Sequence, residues 1–455
     1  MGRAGGEAFM EQQYIDLYTQ EHENIKKHSL ALLNKYRDES FDRFCRLGFP
    51  TSKSEDYKYT DLTPSLSLDY GLNLNRLKIE TNPYGAFRCA VPSIHSYLYY
   101  VLNDAFYPVD EPKNNDLPQG VIIGSLKEIS ETHPQLVEPY LGKLSNKKED
   151  GMVAFNGAFA QDGFFMYVPK NVVLEKTVQL VNIMRFGSDF MANSHNLIIL
   201  EEGAKAQLLV CDHTMDDVHF FSNRVTEVFV GESAVYEHYK LEKTHEKTTN
   251  VSTLLIDQKQ SSNVLNNVIT LHNGLTRNNI EIELNGEFTE TLLCGMAIGD
   301  KNQKIDNYTS LSHNKPNCRS TELFKCILDD EAKGAFTGKI YVAKDAQKTE
   351  AFQQSKNILL SKTARIRTKP QLEIYADDVR CSHGATIGQL DEAAEFYLRS
   401  RGISAKEARL LLMYAFTADV IENIRIDALK DRIRLMVENR LRNGTVKGKD
   451  CAMCR

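Results

Sequence analysis

The chain has 455 residues, of which 42% are hydrophobic and 25% charged, with a formal net charge of −6. That length suits two or three domains of about 150 residues each, and the composition is ordinary for a globular protein. The acidic balance speaks against a nucleic-acid binder, which usually carries a basic surplus. No apolar run is long enough to span a membrane. The start, Met1 to Gly6, lacks the apolar stretch of a secretory signal and the Ser or Thr that favours myristoylation. Nine cysteines at irregular spacing fit a reducing cytosol better than a disulfide framework, so a cytoplasmic protein is expected.

Residues 7–47 read as helix. Ile15, Leu17, Ile25, Leu30, Leu32, Leu33 and Phe41 recur at helical spacing among charges, and Gly48-Phe49-Pro50 ends the unit. Tyr57, Tyr59 and Leu62 sit in a polar connector. Residues 75–150 are mixed, with one or two short helices between Leu126 and Leu144. From about 151 to 380 strand patterns dominate: Phe164–Val168, Val172–Ile183, Leu197–Leu200, Gln207–Cys211, Val225–Val230, Thr253–Ile256 and Val264–Leu271, separated by turn residues.

A short element recurs at 200–204, 230–234, 328–332 and 360–364: an aliphatic, three turn-like residues, then Ala204, Ala234, Ala332 or Ala364. Leu200 and Val230 lie 30 residues apart, Leu328 and Leu360 lie 32 apart. Small residues at tight corners with strands at a fixed period predict a mainly β protein built on a right-handed parallel β-solenoid, also called a β-helix. A large β-sandwich is the competing architecture. After Gly388 the pattern is helical again. Ser404 and Glu407 form a capping box, and Leu429 to Leu441 is an arginine-rich amphipathic helix. The expected organisation is a helical and mixed region over 1–150, a β-helix core over 151–385, and a helical region with a mobile tail over 386–455.

The stretch before those helices holds the leading site candidate. Leu372 to Tyr375 reads as a strand ending in the acidic turn Asp377-Asp378. Cys381 and His383 follow two apart, so in extended backbone they share a face. Gly384 and Gly388 loosen the chain, and Asp391 caps a helix carrying Ala394, Leu398 and Ile403. The pair is therefore expected where a sheet ends and a helix begins. Thiolate and imidazole both suit iron and iron–sulfur clusters. The competing reading is a buried cysteine beside a histidine that caps the solenoid.

Other constellations are weaker. His313 and Cys318 bracket a bend set by Pro316, with Cys326 further on. Gly334 to Ile340 looks like a phosphate loop, but three residues separate its glycines and Ile340 stands where Ser or Thr should hold magnesium, so a solenoid corner is expected there. Cys451 and Cys454 form a CxxC without a second pair. His213, His219, His238 and His245 share no ligand spacing.

Lys369–Ile374, Cys381–Thr386 and Phe396–Ile403, with Asn317–Ser320, Gly338–Ile340 and Asp345–Thr349 upstream, together resemble the SufB/SufD family. These are scaffold subunits of the SUF iron–sulfur cluster assembly machinery. The family's N-terminal signature has tryptophan where Tyr57 stands. Its SufB branch has glutamate where Gly384 stands, which favours the SufD side. The resemblance implies a β-helix core, a SufB-like partner subunit, a SufC-like ATPase, apoprotein cluster acceptors, and no nucleic acid or membrane. It implies a role in cluster assembly for His383, with Cys381, Cys318 and His313 as further ligand candidates. The iron–sulfur cluster would be transient and shared with the partner, with flavin left open. ATP hydrolysis would belong to the partner, and this chain would be no enzyme. The C-terminal helices would dock the ATPase through Phe396, Leu412, Phe416 and Ile424, and removing 404–455 would leave the solenoid folded. The competing function is a β-helix enzyme acting on polysaccharide, which needs paired carboxylates on one face. Acids here are spread mostly over turns.

Overall fold

The computed structural model describes residues 2–79, 81–83, 96–108 and 116–443. From Phe190 to Gly388 the chain runs through strands of nine to eleven residues that alternate between two sheets. One sheet has nine strands and the other ten. Each strand but the last two pairs in parallel with the strand two before it and the strand two after it, as Thr248–Gln258 does with Phe220–Val230 and Leu275–Leu284. The result is a parallel β-solenoid of about eight turns.

The side-chain period of two sends alternate residues of every strand inward. Val228, Val230, Ile256, Ile280, Ile282, Leu284, Leu311, Ile340 and Val342 thereby fill one interior core. The alanine elements turn the corners. Ala204, Ala234 and Ala332 are fully buried, and each amide bonds back three residues, to Glu201, Gly231 and Asp329. Gly203 and Ser233, just before the first two alanines, take φ of 68° and 56°. The four copies belong to two different stacks. Those at 200 and 230 carry the chain from the nine-stranded sheet to the ten-stranded one, and those at 328 and 360 carry it back. The missing third copy of the first stack is at 259–262, where Ser262 replaces alanine and bonds back to Lys259 at 3.2 Å.

Each sheet's outer face is covered by helices. The N-terminal helices Gly2–Lys27 and Ala31–Leu47 join the buried helix Gly151–Phe159 over the nine-stranded sheet. There Tyr14, Phe44, Phe49, Phe155 and Phe159 meet Met191, Phe221 and Val251. Over the ten-stranded sheet lie two C-terminal helices, Ala405–Glu422 and Asp427–Asn443. Their Val420, Ile421, Leu429, Ile433 and Val437, with Ile424 of the linker between them, pack on Leu209, Leu265, Ile269, Met296 and Ile298.

Several sequence expectations change. Residues 172–176 are corner, and the strand there is Thr177–Met184. Gly151–Phe159 is helix, begun by Asp150, whose carboxylate accepts from Met152 N at 2.7 Å. The solenoid starts earlier than 151, because Ser96–Leu102 pairs in parallel with Thr177–Met184. Gly334 to Ile340 lies inside the strand Lys333–Val342, not at a corner. Removing 404–455 would uncover the apolar residues Leu209, Leu265, Ile269, Met296 and Ile298 on which these helices pack. Cys451, Cys454 and the tail lie outside the described residues.

Candidate functional site

The last turn consists of the strands Arg365–Ile374 and Val379–Gly388, each the terminal strand of its sheet. Both pair on one side only. Cys381 lies opposite Ala351 and His383 opposite Gln353 in the register. Cys381 is half-buried and packs against the interior core. His383 follows at i+2, so it shares that inward-facing row. It is nevertheless exposed, because the turn that would lie above it does not exist among the described residues.

The sequence put this pair at a strand-to-helix junction. The structure puts it in the body of a strand that continues five residues past His383, to Gly388. Gly384 and Gly388 do not break it. A Cβ at either would meet nothing within 4 Å, and neither has positive φ. Pairing with Thr349–Leu359 overrides the weak strand preference of glycine. Before the strand, Lys348 N bonds Asp378 O at 2.6 Å and Asp378 N bonds Gln347 Oε1 at 2.8 Å. The acidic turn is thus anchored to the turn below.

Electrostatics differ between the candidates. Burial raises the Cys381 thiol, opposed by a backbone contact from Ala351. His313 is fully buried, and burial pushes its imidazole down to about 4. Its Nε2 bonds Ser320 Oγ at 2.8 Å. The Cys318 thiol is buried and donates to Gly286 O at 3.2 Å. His313 and Cys318 therefore sit inside the stack, whereas Cys381 and His383 sit at its open end. Cys326 and Cys294 are buried, each pushed up to about 12 chiefly by burial, and make poor nucleophiles. Among the described residues no group of three His, Cys, Asp or Glu could hold a metal ion.

The four sequence-singled histidines stay apart. His219 Nδ1 contacts Asp189 at 3.0 Å, His245 Nε2 contacts Asp216 O at 2.8 Å, and His238 Nδ1 contacts Tyr236 Oη at 2.8 Å. His213 is buried on the strand Lys205–Thr214.

The docking candidates divide sharply. On the helix Glu392–Ser400, which buries no residue, Phe396 is 73% and Tyr397 55% exposed. Leu412 and Phe416 are half-buried against Ile327, Ile358, Leu390 and Met413. Ile424 is fully buried under the second and third C-terminal helices. The apolar surplus expected of these helices is largely spent on the sheet beneath them.

Sequence reasoning missed the polar interior. Arg224 Nη2 bonds Asp212 Oδ1 at 2.8 Å, and Lys240 Nζ bonds Asn278 Oδ1 at 2.7 Å, all four side chains buried between the sheets. Burial and the nearby Lys240 and Arg224 cations push His238 down to about 3. The available signal was polar residues at strand period within otherwise apolar strands.

Comparison with known proteins gives a consistent picture. Residues 183–416 match the family model described as SUF system FeS cluster assembly, SufBD core domain, and residues 8–180 match the SufBD protein N-terminal region. An iron–sulfur cluster assembly SufBD family protein of Synechocystis is 30% identical over 90% of this chain and 91% of its own length. The iron–sulfur cluster assembly protein SufD of Escherichia coli is 35% identical over 54% of this chain and 58% of its own. That of Bacillus subtilis is 27% identical over 71% and 75%. No helix among the described residues is long and apolar enough to cross a membrane.

Proposed function

This chain belongs to the SufB/SufD family of the SUF iron–sulfur cluster assembly system, and on that premise we propose that it is a non-ATPase scaffold subunit of a SufBCD-type complex. The observation that carries the reading is the open end of the solenoid. Two terminal strands there have one backbone edge unpaired among the described residues, and Cys381 and His383 stand on the inward row at the same place. An exposed edge is a template for strand addition. A SufB-like subunit with its own solenoid end would extend both sheets and bury His383 at the seam.

The cluster is cargo. It would form at that seam, be held briefly, and pass to apoproteins. Neutral imidazole is a good iron ligand near neutral pH, and the thiol of Cys381 offers a second donor two residues away. Gly384 after the histidine brings no carboxylate of its own, so further donors would come from the partner. ATP hydrolysis falls to a separate SufC-like subunit, which would dock on the exposed Phe396 and Tyr397 of the helix Glu392–Ser400.

The test is co-expression with the SufB-like and SufC-like products of the same cell, with iron and acid-labile sulfide measured on the purified complex. His383→Ala is expected to lower cluster content severalfold and Cys381→Ser to lower it less, with the melting temperature of this subunit within a few degrees of the parent. A full complement of cluster in His383→Ala would overturn the site.

A further inference from the structure

His383 is the last member of a row that runs inward across the ten-stranded sheet. The register joins His383 to Gln353, Gln353 to Glu322, and Glu322 to Leu293. Gln353 and Glu322 are each 1% exposed, and Gln353 Nε2 donates to Glu322 Oε2 at 2.5 Å. One oxygen of this pair, Gln353 Oε1, is buried without a hydrogen-bond partner, whereas the Glu322 carboxylate also has the Thr309 hydroxyl beside it. A buried polar atom left unpaired is destabilising, so such an atom next to an open end calls for a donor.

The fold also makes deliberate room for this amide. Across the interior, a Cβ on Gly338 would stand 2.3 Å from Gln353 Nε2 and 2.7 Å from its Cδ. A side chain at 338 would force the Gln353 amide to move. This glycine belongs to the stretch that resembles a phosphate loop in sequence. In the fold it lies against the Gln353 amide and the Phe336 ring.

We propose that Gln353, oriented by Glu322, is a positioning residue that accepts the ring N–H of His383 and so fixes which imidazole nitrogen is left for iron. The chemistry runs in one direction. An ionised carboxylate only accepts hydrogen bonds, so Glu322 draws the NH2 end of Gln353 inward. The carbonyl end, Oε1, is then turned away from Glu322. His383 occupies the adjacent strand on the same row, one strand spacing of about 4.8 Å away. An N–H donated from one ring nitrogen to Oε1 leaves the other nitrogen unprotonated and aimed out of the open end. Metal-bound histidines are generally held in this manner by a second acceptor, whose loss costs about 10–100-fold in metal affinity or activity.

This inference rests on the reading of His383 as a cluster ligand, and the experiment separates the two. The full chain, labelled with 15N-histidine, is studied at pH 8 by two-bond proton–nitrogen correlation. Burial raises the Glu322 carboxyl to about 7, so it is largely ionised at that pH. The signals of His383 are those missing from His383→Gln. The parent should show a single tautomer, with one nitrogen protonated and one bare. Gln353→Leu and Gly338→Ala should both shift the two nitrogens towards the average of free imidazole. The exchange of partners, Glu322→Gln with Gln353→Glu, keeps both shapes and still turns an oxygen to His383, so it should restore a single tautomer. In the co-expressed complex Gln353→Leu should lower iron content about 10-fold and the exchanged pair should recover it. Identical His383 shifts in the parent and Gln353→Leu would overturn the positioning role, as would an exchanged pair that behaves like Gln353→Leu. Full cluster content in His383→Ala would instead overturn the ligand reading and leave the tautomer result standing.

Discussion

The guanidinium of Arg277 lies 4.3 Å from the centre of the Tyr57 ring. Tyr57 belongs to the N-terminal connector and Arg277 to the outer face of the solenoid strand Leu275–Leu284, so the contact pins one region of the chain to another 220 residues away. Arg277 is fully buried. It bonds Asp306 Oδ2 at 2.6 Å, Asn279 Oδ1 at 2.7 Å and Asp56 O at 2.8 Å.

Removing one partner of a buried ion pair strands the other charge. Arg277→Met should therefore destabilise the protein by about 3–5 kcal/mol, read as a lowered midpoint in urea unfolding. The paired change Arg277→Met with Asp306→Leu should recover part of that loss. A single substitution that leaves the midpoint unchanged would show that Asp306 finds another cation.

Tyr57 adds hydrogen bonds to the stacking. Its hydroxyl donates to Asp150 Oδ2 at 2.9 Å and accepts from Asn279 Nδ2 at 3.1 Å. Asp150 also caps the buried helix Gly151–Phe159. Tyr57→Phe should cost about 1–2 kcal/mol, with the ring still stacked on Arg277, measured by the same unfolding curve.

Acid should weaken the fold through His238. Its folded pKa of about 3 lies below the usual value of 6.5, because burial and the Lys240 and Arg224 cations disfavour the charged ring. The unfolded chain takes up a proton below 6.5 that the folded chain refuses. Stability from this group is thus complete above pH 6.5 and is lost as pH falls towards 3, with a slope of at most about 1.4 kcal/mol per pH unit. His238→Gln should flatten the fall in unfolding free energy between pH 6.5 and 4. An unchanged slope would assign the acid sensitivity to other groups.

The exposed aromatics of the helix Glu392–Ser400 should matter for assembly and not for folding. Phe396→Ala with Tyr397→Ala is expected to weaken capture of the ATPase subunit by at least 10-fold, on the scale of about 1–2 kcal/mol per exposed aromatic anchor, with melting unchanged. Leu412→Ala and Ile424→Ala should lower the melting temperature instead, since those side chains pack on the solenoid. Undiminished capture by the double aromatic variant would move the docking surface elsewhere.

The period of the solenoid was legible because corners are local. A buried alanine after a left-handed turn residue leaves its mark within five positions, and the marks at 200 and 230 give the turn length directly. The strands were only half legible. In Thr248–Gln258 the apolar signal begins at Leu254, because Asn250 and Ser252 also face inward and join the polar interior. A pattern rule that equates inward with apolar shortens each such strand. Cys381 and His383 were legible as residues, but their setting was not. The glycines after them suggested a break, whereas pairing with the turn below decides the backbone, and that pairing joins residues about 30 apart. The Glu322–Gln353–His383 row spans three turns and leaves no local trace at all.

A stack of turns is held at every level from both sides except at its ends. Among the described residues the turn carrying Cys381 and His383 has a neighbouring turn on one side only, with the strand Val379–Gly388 largely exposed and Arg365–Ile374 mostly half-buried. In such a ladder the terminal rung opens first and recloses fastest, so amide exchange should be steepest there and slow progressively towards the middle. The candidate chemistry thus resides on the segment of the core that frays most readily, and it becomes a well-ordered surface only when a second ladder continues the first. An isolated copy of the chain should therefore be cut by protease first at this terminal turn.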